Sequence, residues 1–149
     1  MDLEKYRIAA SDSFLDFEFV SEGPKGKIRK VVRYSPQNAN GITYFHLGFG
    51  DLNPDTGMID DLAITNNADR DKVLATVAAS VLKFTEHFPD ALVYATGSTS
   101  ARTRLYQIGI SANLQSIEPI LDVFGFVSET GWQPFQKGIH YLAFLVKRK

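Results

Sequence analysis

The chain has 149 residues, of which 44% are hydrophobic and 12% aromatic, the composition of a globular domain rather than a disordered chain. It contains no cysteine, which excludes disulfides, thiolate metal sites and a cysteine nucleophile. The formal net charge is −1, so the molecule as a whole has no field that would attract nucleic acid or an acidic membrane. These numbers predict a single domain over residues 1–149.

The sequence contains no candidate membrane span, because no stretch approaches the roughly 20 apolar residues that crossing a bilayer requires. Its first six residues, MDLEKY, are charged and lack the apolar core of a signal peptide. We therefore expect a cytoplasmic protein that does not contact a membrane.

The first half of the sequence predicts an antiparallel meander of strands. Phe17-Glu18-Phe19 alternates apolar and acidic residues with the period of a half-buried strand, and Gly23-Pro24-Lys25-Gly26 predicts a turn. Lys30 falls on the apolar face of the next strand, which suggests a bulge or an edge position. The predicted strands cover 14–19, 27–34, 42–50 and 58–65, with a polar loop over 35–41 and a hairpin connection over 51–57.

The second half predicts two main helices around a central strand. A helix capped by Asn67 or Asp69 carries an apolar stripe at helical spacing and stops at Pro89. A short strand, 91–96, leads into a helix over 101–108 that Gly109 ends. A short helix within 115–124 and a closing strand over 138–147 complete the chain. The order predicts an α+β fold with a largely antiparallel sheet: four-strand meander, helix, strand, helix, closing strands.

Residues 94–106 (YATGSTSARTRLY) run from an apolar strand through small hydroxyl residues into a helix. Such a helix start presents free backbone N–H groups, to which arginine would add charged donors for a phosphate or carboxylate. The pattern predicts a small-anion site at Gly97, Ser98, Thr99, Ser100, Arg102 and Arg104. In the alternative interpretation, Ser98 or Ser100 caps the helix and the arginines pair with surface carboxylates. No lysine follows the glycine as in a P-loop, so nucleotide hydrolysis is not predicted.

A dense basic run on the second strand gives a second candidate surface. Its members are Lys25, Lys27, Arg29, Lys30 and Arg33. On a sheet surface such residues could follow a nucleic-acid backbone while neighbouring aromatic rings stack on the bases. However, Asp16, Glu18 and Glu22 lie on the preceding strand, and opposite charges on neighbouring strands pair across the ladder. We therefore favour a solvated, ion-paired face over nucleic-acid binding.

The sequence predicts no metal site and no cofactor. His46, His87 and His140 lie in separate elements without the spacing of metal ligands. The segment 51–57 (DLNPDTG) has the alternating oxygen ligands of a calcium loop, but the later positions do not match, and a β-hairpin fits better. Trp132 falls in a predicted loop, where it would either cap the core or line a surface.

Three phrases of the sequence resemble a domain-of-unknown-function family of Bacteroidetes proteins. They are 19–26 (FVSEGPKG), 72–78 (KVLATVA) and 94–99 (YATGST), and the resemblance extends over nearly the whole chain. It implies a bacterial, intracellular, single-domain protein and carries no known activity.

A partial resemblance points to the GCN5-related N-acetyltransferases. The order of strands and helices is similar to the core of that family, and residues 101–110 (ARTRLYQIGI) look like its penultimate helix. The resemblance implies that Tyr106 stands where such enzymes place a general acid. The stretch 66–71 (NNADRD) lacks the glycines with which they hold the pyrophosphate of acetyl-CoA, and its two acids would repel phosphate.

These patterns leave the function open among three hypotheses, of which only one is enzymatic. The first is a non-catalytic domain that binds a protein partner or a small anionic ligand near residues 97–106. The second is a divergent acyltransferase that uses Tyr106. The third is a nucleic-acid-binding protein or one half of a toxin–antitoxin pair.

Overall fold

The computed structural model describes residues 4–60 and 67–149, which form two helices and nine strands. The helices are α1 (Arg70–His87) and α2 (Ser100–Ile117). The strands are β1 (Ala9–Ala10), β2 (Asp16–Gly23), β3 (Gly26–Ala39), β4 (Ile42–Leu52), β5 (Ile59–Asp60), β6 (Leu92–Ala95), β7 (Leu121–Val127), β8 (Gly131–Pro134) and β9 (Ala143–Arg148). Neither helix in these ranges is long and apolar enough to cross a membrane.

The strands form one sheet in the order β1-β2-β3-β4-β6-β9-β7-β8, with β5 paired to the end of β4. Every pair is antiparallel except β4 and β6, which α1 connects as a crossover. The predicted central position of β6 is confirmed, because β4 and β9 lie on its two sides. The predicted α+β fold with a largely antiparallel sheet is also confirmed.

The strands of the meander are longer than predicted, and the turn between β3 and β4 is shorter. The predicted turn at Gly23–Gly26 is confirmed, but the polar loop predicted over 35–41 is wrong. There β3 continues to Ala39 in unbroken register with β4. The chain then reverses at Asn40 and Gly41, whose φ angles of 53° and 79° suit a type I′ hairpin turn. The polar residues before this turn are strand residues on the exposed end of a hairpin.

The second half departs from prediction after residue 108. Gly109 does not end a helix, because α2 continues through it to Ile117, so the separate helix predicted within 115–124 is also wrong. A Cβ at position 109 would lie 3.3 Å from Leu74 Cβ, so this glycine lets α2 approach α1 closely. Three strands then close the fold, and the last begins at Ala143 rather than at 138. Of the strand predicted over 58–65, Ile59–Asp60 is observed and 61–66 lie outside the described residues.

Both helices pack on the same face of the sheet and form the core with it. The pocket between them is lined by α1 and α2 together with β4, β6 and β9, so these layers meet directly. The buried strand side chains that face the helices are Phe17, Phe19, Val32, Tyr34, Leu47, Phe49, Val93, Ala95, Phe144 and Val146. In the described ranges neither helix packs on the opposite face, which carries Tyr44, Tyr94, Phe124 and Leu145. We call it the open face.

Candidate functional site

The turn from β6 into α2 is tightly packed. Thr99 is the N-cap, and its hydroxyl accepts a hydrogen bond from the Arg102 backbone N–H at 3.3 Å. The cap expected at Ser98 or Ser100 is therefore at Thr99, and both serines are exposed. Gly97 donates its N–H to Thr103 Oγ1 at 2.9 Å, and a Cβ there would lie 2.5 Å from Arg102 Cβ. Position 97 is a glycine because the first turn of α2 lies directly against it.

The two arginines of this turn have separate environments. Arg102 is buried, and its Nη2 donates to the Phe49 carbonyl oxygen at 3.1 Å. That carbonyl lies on β4 beyond Leu47, the last residue that β4 pairs with β6. Arg104 is exposed and makes no hydrogen bond or ion pair with the residues that the structure describes. The geometry thus directs one arginine into the protein and leaves the other available to a ligand.

The polar residues that precede α1 are committed to the fold. Asp69 is the N-cap residue but makes no side-chain cap; its Oδ2 accepts from Tyr6 Oη at 2.6 Å and Ser21 Oγ at 2.5 Å. Asn67 is buried and donates to the Gly26 carbonyl oxygen at 2.9 Å, while its Oδ1 accepts from the Lys25 backbone N–H at 2.8 Å. These contacts hold the start of α1 against the β2–β3 turn and the N-terminal segment.

Tyr106 lines an apolar pocket of about 60 Å³ between the two helices and the sheet. The pocket walls include Leu47 and Ala95, the last paired residues of the parallel strands. Burial raises the pKa of the nearby Tyr34 well above its usual value, against the opposing effect of its hydrogen bond to Ser80. On α2, Asn113 is buried and its Oδ1 has no hydrogen-bond partner among the described residues.

The basic run does not form one surface. Arg29 pairs with Glu18 at 2.7 Å and Arg33 with Asp16 at 2.8 Å, across the β2–β3 ladder on the open face. Lys27 lies 3.9 Å from Glu22 on the same ladder. Lys25 lies in the β2–β3 turn, where its backbone rather than its side chain is bonded.

Lys30 points to the opposite side, into the core. Its side chain is 1% exposed, and its Nζ lies 2.5 Å from Asp51 Oδ1 on β4. The bulge or edge position predicted from Lys30 is wrong, because β3 lies between β2 and β4 and its register is unbroken there. An ion pair, rather than a backbone irregularity, accommodates the charge on the apolar face.

The open face carries a cluster of aromatic rings that sequence analysis did not assemble. We call Tyr44, Tyr94, Phe126 and Trp132 the aromatic patch. Ring centroids lie 5.9 Å apart for Tyr44–Tyr94, 6.2 Å for Tyr94–Trp132 and 5.3 Å for Phe126–Trp132. Trp132 is 43% exposed and the other three rings are partly exposed. Burial, followed by the neighbouring Tyr44 hydroxyl, raises the pKa of Tyr94.

The sequence signal for this patch was period-two alternation on strands that are not neighbours in the chain. Tyr44 lies on β4, Tyr94 on β6, Phe126 on β7 and Trp132 on β8. Only the strand order brings them together, since β4–β6 and β7–β8 are separated by β9 alone. The uncertain placement of Trp132 is resolved: it lies on a strand, opposite Phe126, and lines a surface.

Within the described residues there is no group of three or more histidine, aspartate or glutamate side chains arranged to hold a metal ion.

A comparison with models of protein families shows which family the chain belongs to. The model of a "Family of unknown function (DUF6934)" matches residues 2–149. The chain belongs to DUF6934. No curated protein and no solved structure matches it. Because the DUF6934 match extends over nearly the whole chain, both the turn before α2 and the aromatic patch lie within the family's span.

Proposed function

We propose that this DUF6934 protein is a non-catalytic binding domain that recognises a protein partner through the aromatic patch. The observation that carries the proposal is the chain of four partly exposed rings on the face that neither helix covers. Clustered aromatic side chains are the residues that contribute most at protein interfaces. Contiguous exposed apolar surface of this kind marks an interaction site. The proposal keeps the bacterial, cytoplasmic setting expected from the sequence.

The test is an affinity capture from extract of the source organism with matched baits. Trp132→Glu places a charge in the patch, whereas Ala112→Glu places the same charge on the exposed side of α2. We expect the wild type and Ala112→Glu to retain the same partner and Trp132→Glu to lose it. If all three baits captured the same partner equally well, the aromatic patch would not be the binding surface.

The turn before α2 is proposed as an accessory contact for an anionic group. Arg104 and the exposed hydroxyls of Ser98 and Ser100 support it, since Arg102 is occupied inside the protein. We expect Arg104→Ala to weaken binding of a phosphate- or carboxylate-bearing ligand without loss of stability. Arg102→Ala should instead lower stability, because it removes a buried donor from the Phe49 carbonyl. Chemical denaturation of both variants separates the two roles, and unchanged anion binding by Arg104→Ala would exclude the turn.

A divergent acyltransferase is the second candidate function. The observation that favours it is the position of Tyr106 on an apolar pocket beside the point where β4 and β6 separate. A parallel pair that separates at its carboxyl ends leaves room for a ligand, and a tyrosine there could act as a general acid. The side chain of Arg102 occupies part of the space where β4 and β6 separate. Asp69, at the start of α1, is hydrogen-bonded to Tyr6 within the fold.

An NMR amide titration with coenzyme A tests this second candidate. Shifts concentrated at residues 67–71 and 97–106 would support it, and Tyr106→Phe should then slow acyl transfer to an amine by about tenfold or more. A titration without shifts would exclude coenzyme A as a ligand and leave the binding-domain proposal intact.

A further inference from the structure

We propose a further binding site at the outer edge of β2, for a small carboxylate that carries a neighbouring amide group. The site goes beyond the proposed function, because its residues are separate from the aromatic patch. It is a pocket of about 450 Å³ between the N-terminal segment 6–9 and β2, with Arg29 of β3 and Lys72 of α1 also in its walls. Pockets that hold small ligands have volumes of this order.

The pocket exists because the N-terminal segment leaves β2 after a short contact. β1 pairs with β2 at two positions, one of which is Ala9 opposite Glu18. Before Ala9, the Tyr6 backbone N–H donates instead to Thr76 Oγ1 of α1, at 2.8 Å. The gap closes again at Glu22, whose backbone nitrogen lies 3.1 Å and carbonyl oxygen 3.2 Å from Tyr6 Oη. Because both ends are closed, the ligand is a short molecule or the end of a chain.

Val20 presents a main-chain donor and acceptor to this pocket. In an antiparallel sheet, successive residues direct their N–H and C=O groups to alternate sides of the strand. The hydrogen bond from the Glu22 N–H to Tyr6 Oη shows that the even-numbered residues of β2 face outward. Val20 lies between Glu22 and the β1 contact, and no described residue forms a hydrogen bond with its outward N–H or C=O. A ligand amide, which has one donor and one acceptor, matches this pair.

The charges of the pocket select an anionic group. Its walls contain three cations and two carboxylates: Arg7, Arg29, Lys72, Glu18 and Glu22. Both carboxylates already face a basic side chain across the β2–β3 ladder, at 2.7 and 3.9 Å. Asp69 is not in the walls and accepts hydrogen bonds from Tyr6 and Ser21. Arg7 and Lys72 form no ion pair with any residue in 4–60 or 67–149, so they remain for a ligand carboxylate.

The rest of the wall gives apolar contact to a ligand side chain. Ile8 lines the pocket beside Tyr6 and Phe19, whose rings stack with centroids 5.7 Å apart. Val20 adds a side chain that is 40% exposed. The site therefore fits the carboxyl-terminal residue of a peptide or a free acylated amino acid, in either case with an apolar side chain. Both molecules place an amide next to a carboxylate.

An NMR amide titration of the full chain with N-acetyl-leucine tests the site, beside two analogues that each lack one group. N-acetyl-leucine amide has no charge, and 4-methylpentanoate has no amide. We expect N-acetyl-leucine to shift the signals of residues 6–9 and 18–22, and each analogue to bind about tenfold more weakly or not at all. The inference would be overturned by equal binding of either analogue, or by unshifted signals at millimolar N-acetyl-leucine.

A tripeptide distinguishes the two sources of this ligand chemistry. Acetyl-Ala-Ala-Leu with a free carboxylate carries the same terminal residue on a longer chain. Binding that is tighter than that of N-acetyl-leucine by about tenfold identifies a peptide carboxyl terminus as the ligand. Equal or weaker binding identifies the free acylated amino acid.

Two substitutions at one position isolate the main-chain donor. Val20→Pro removes the free N–H, and an edge strand accepts proline where that N–H faces outward. Val20→Ala keeps the N–H. We expect Val20→Pro to weaken N-acetyl-leucine binding about tenfold or more, and Val20→Ala to change it by about threefold or less. Unchanged affinity in a folded Val20→Pro variant would overturn the inference.

A matched pair of double variants tests the cations independently of the strand. Arg7→Ala with Lys72→Ala should weaken N-acetyl-leucine binding about tenfold or more, because both charges that face the ligand are lost. Lys83→Ala with Lys137→Ala removes two exposed lysines outside the pocket and should leave the affinity unchanged. Equal affinities of the two double variants would place the ligand elsewhere. This comparison remains decisive if Val20→Pro does not fold.

Discussion

At the scale of single residues, a buried lysine explains how a charged side chain fits the core face of β3. Lys30 is 1% exposed, its Nζ lies 2.5 Å from Asp51 Oδ1, and it lies 5.9 Å from the centre of the Phe49 ring. Taking an ammonium group out of water is costly, so the fold depends on the carboxylate beside it. A buried ion pair adds little to the net stability of a protein, but removal of one partner lowers that stability strongly.

The two partners should respond unequally to substitution. We expect Asp51→Ala to lower the free energy of unfolding by about 3 kcal/mol, because it removes a carboxylate that pairs with the buried Lys30 ammonium group. Lys30→Met should cost about 1 kcal/mol or less, since Asp51 is partly exposed and methionine fills a similar volume. Urea denaturation measures both. Equal losses for the two variants would contradict the burial argument.

A second residue-scale prediction concerns alkaline pH. Burial raises the pKa of Tyr34 well above its usual value of 10.0, so the native state keeps the phenolic proton. The unfolded chain releases that proton above pH 10, which favours unfolding. The free energy of unfolding should therefore fall as the pH rises above 10, by up to about 1.4 kcal/mol per pH unit. Tyr34→Phe, less stable at neutral pH because Ser80 loses a partner, should show a shallower fall. Parallel curves for the two proteins would show that other groups dominate.

At the scale of elements, two glycines in strands play different roles. A Cβ on Gly125 in β7 would lie 2.3 Å from Tyr141 Cδ1, and Tyr141 is buried with its hydroxyl 3.0 Å from the Gln136 backbone nitrogen that donates to it. A Cβ on Gly48 in β4 would meet nothing closer than 3.7 Å. The ring of Tyr141 therefore requires glycine at 125, and nothing nearby requires it at 48.

Substitution by alanine should separate these two positions. Gly125→Ala should lower the free energy of unfolding by about 2 kcal/mol or more, because the ring and the loop that carries it must move. Gly48→Ala should be neutral or stabilising by up to about 1 kcal/mol, since alanine costs less entropy in a strand. Thermal and urea denaturation compare the pair. A tolerated Gly125→Ala would mean that the Tyr141 loop adjusts at little cost.

The same element scale shows which parts of the fold a sequence can predict. The existence of α1 was predictable because its apolar stripe is strong and Pro89 follows it. The length of α2 was not, because Gly109 has the residue type of a helix end but serves a close contact with Leu74 that only tertiary packing reveals. The loop predicted over 35–41 failed for a different, local reason: polar residues in an exposed hairpin lack alternation, although Asn40-Gly41 was a usable turn signal.

At the scale of the whole molecule, the pocket between α1, α2 and the sheet is a gap between two layers. Its volume of about 60 Å³ corresponds to on the order of 1.4 kcal/mol of lost packing, if it is empty and rigid. Ala78→Met should extend a flexible side chain into it and raise the free energy of unfolding by up to about 1 kcal/mol. Ala112→Met, on the exposed side of α2, should change nothing. A loss of stability in Ala78→Met would show that the gap cannot accept three more heavy atoms.

The candidate site was less predictable than the fold, because it depends on strand order. The turn at residues 97–104 is contiguous, so it could be read directly, but the opposite orientations of Arg102 and Arg104 follow from how α2 packs on β4. The aromatic patch draws on four strands from separate parts of the chain, and no local pattern indicates that β9 enters between β6 and β7.

The lengths of the outermost strands limit how copies of the molecule can assemble. β1 has two residues and β8 has four, so these two strands offer few unpaired backbone groups, but β1 pairs only with Phe17 and Glu18 of β2, and residues 35–39 of β3 pair with β4 alone. Edge-to-edge addition, the route by which exposed sheets grow into fibrils, therefore has little template at β1 or β8 and more along β2 and the hairpin end of β3. If copies of this protein add strand to strand, growth should therefore start along β2 or the hairpin end of β3 and not at β1 or β8.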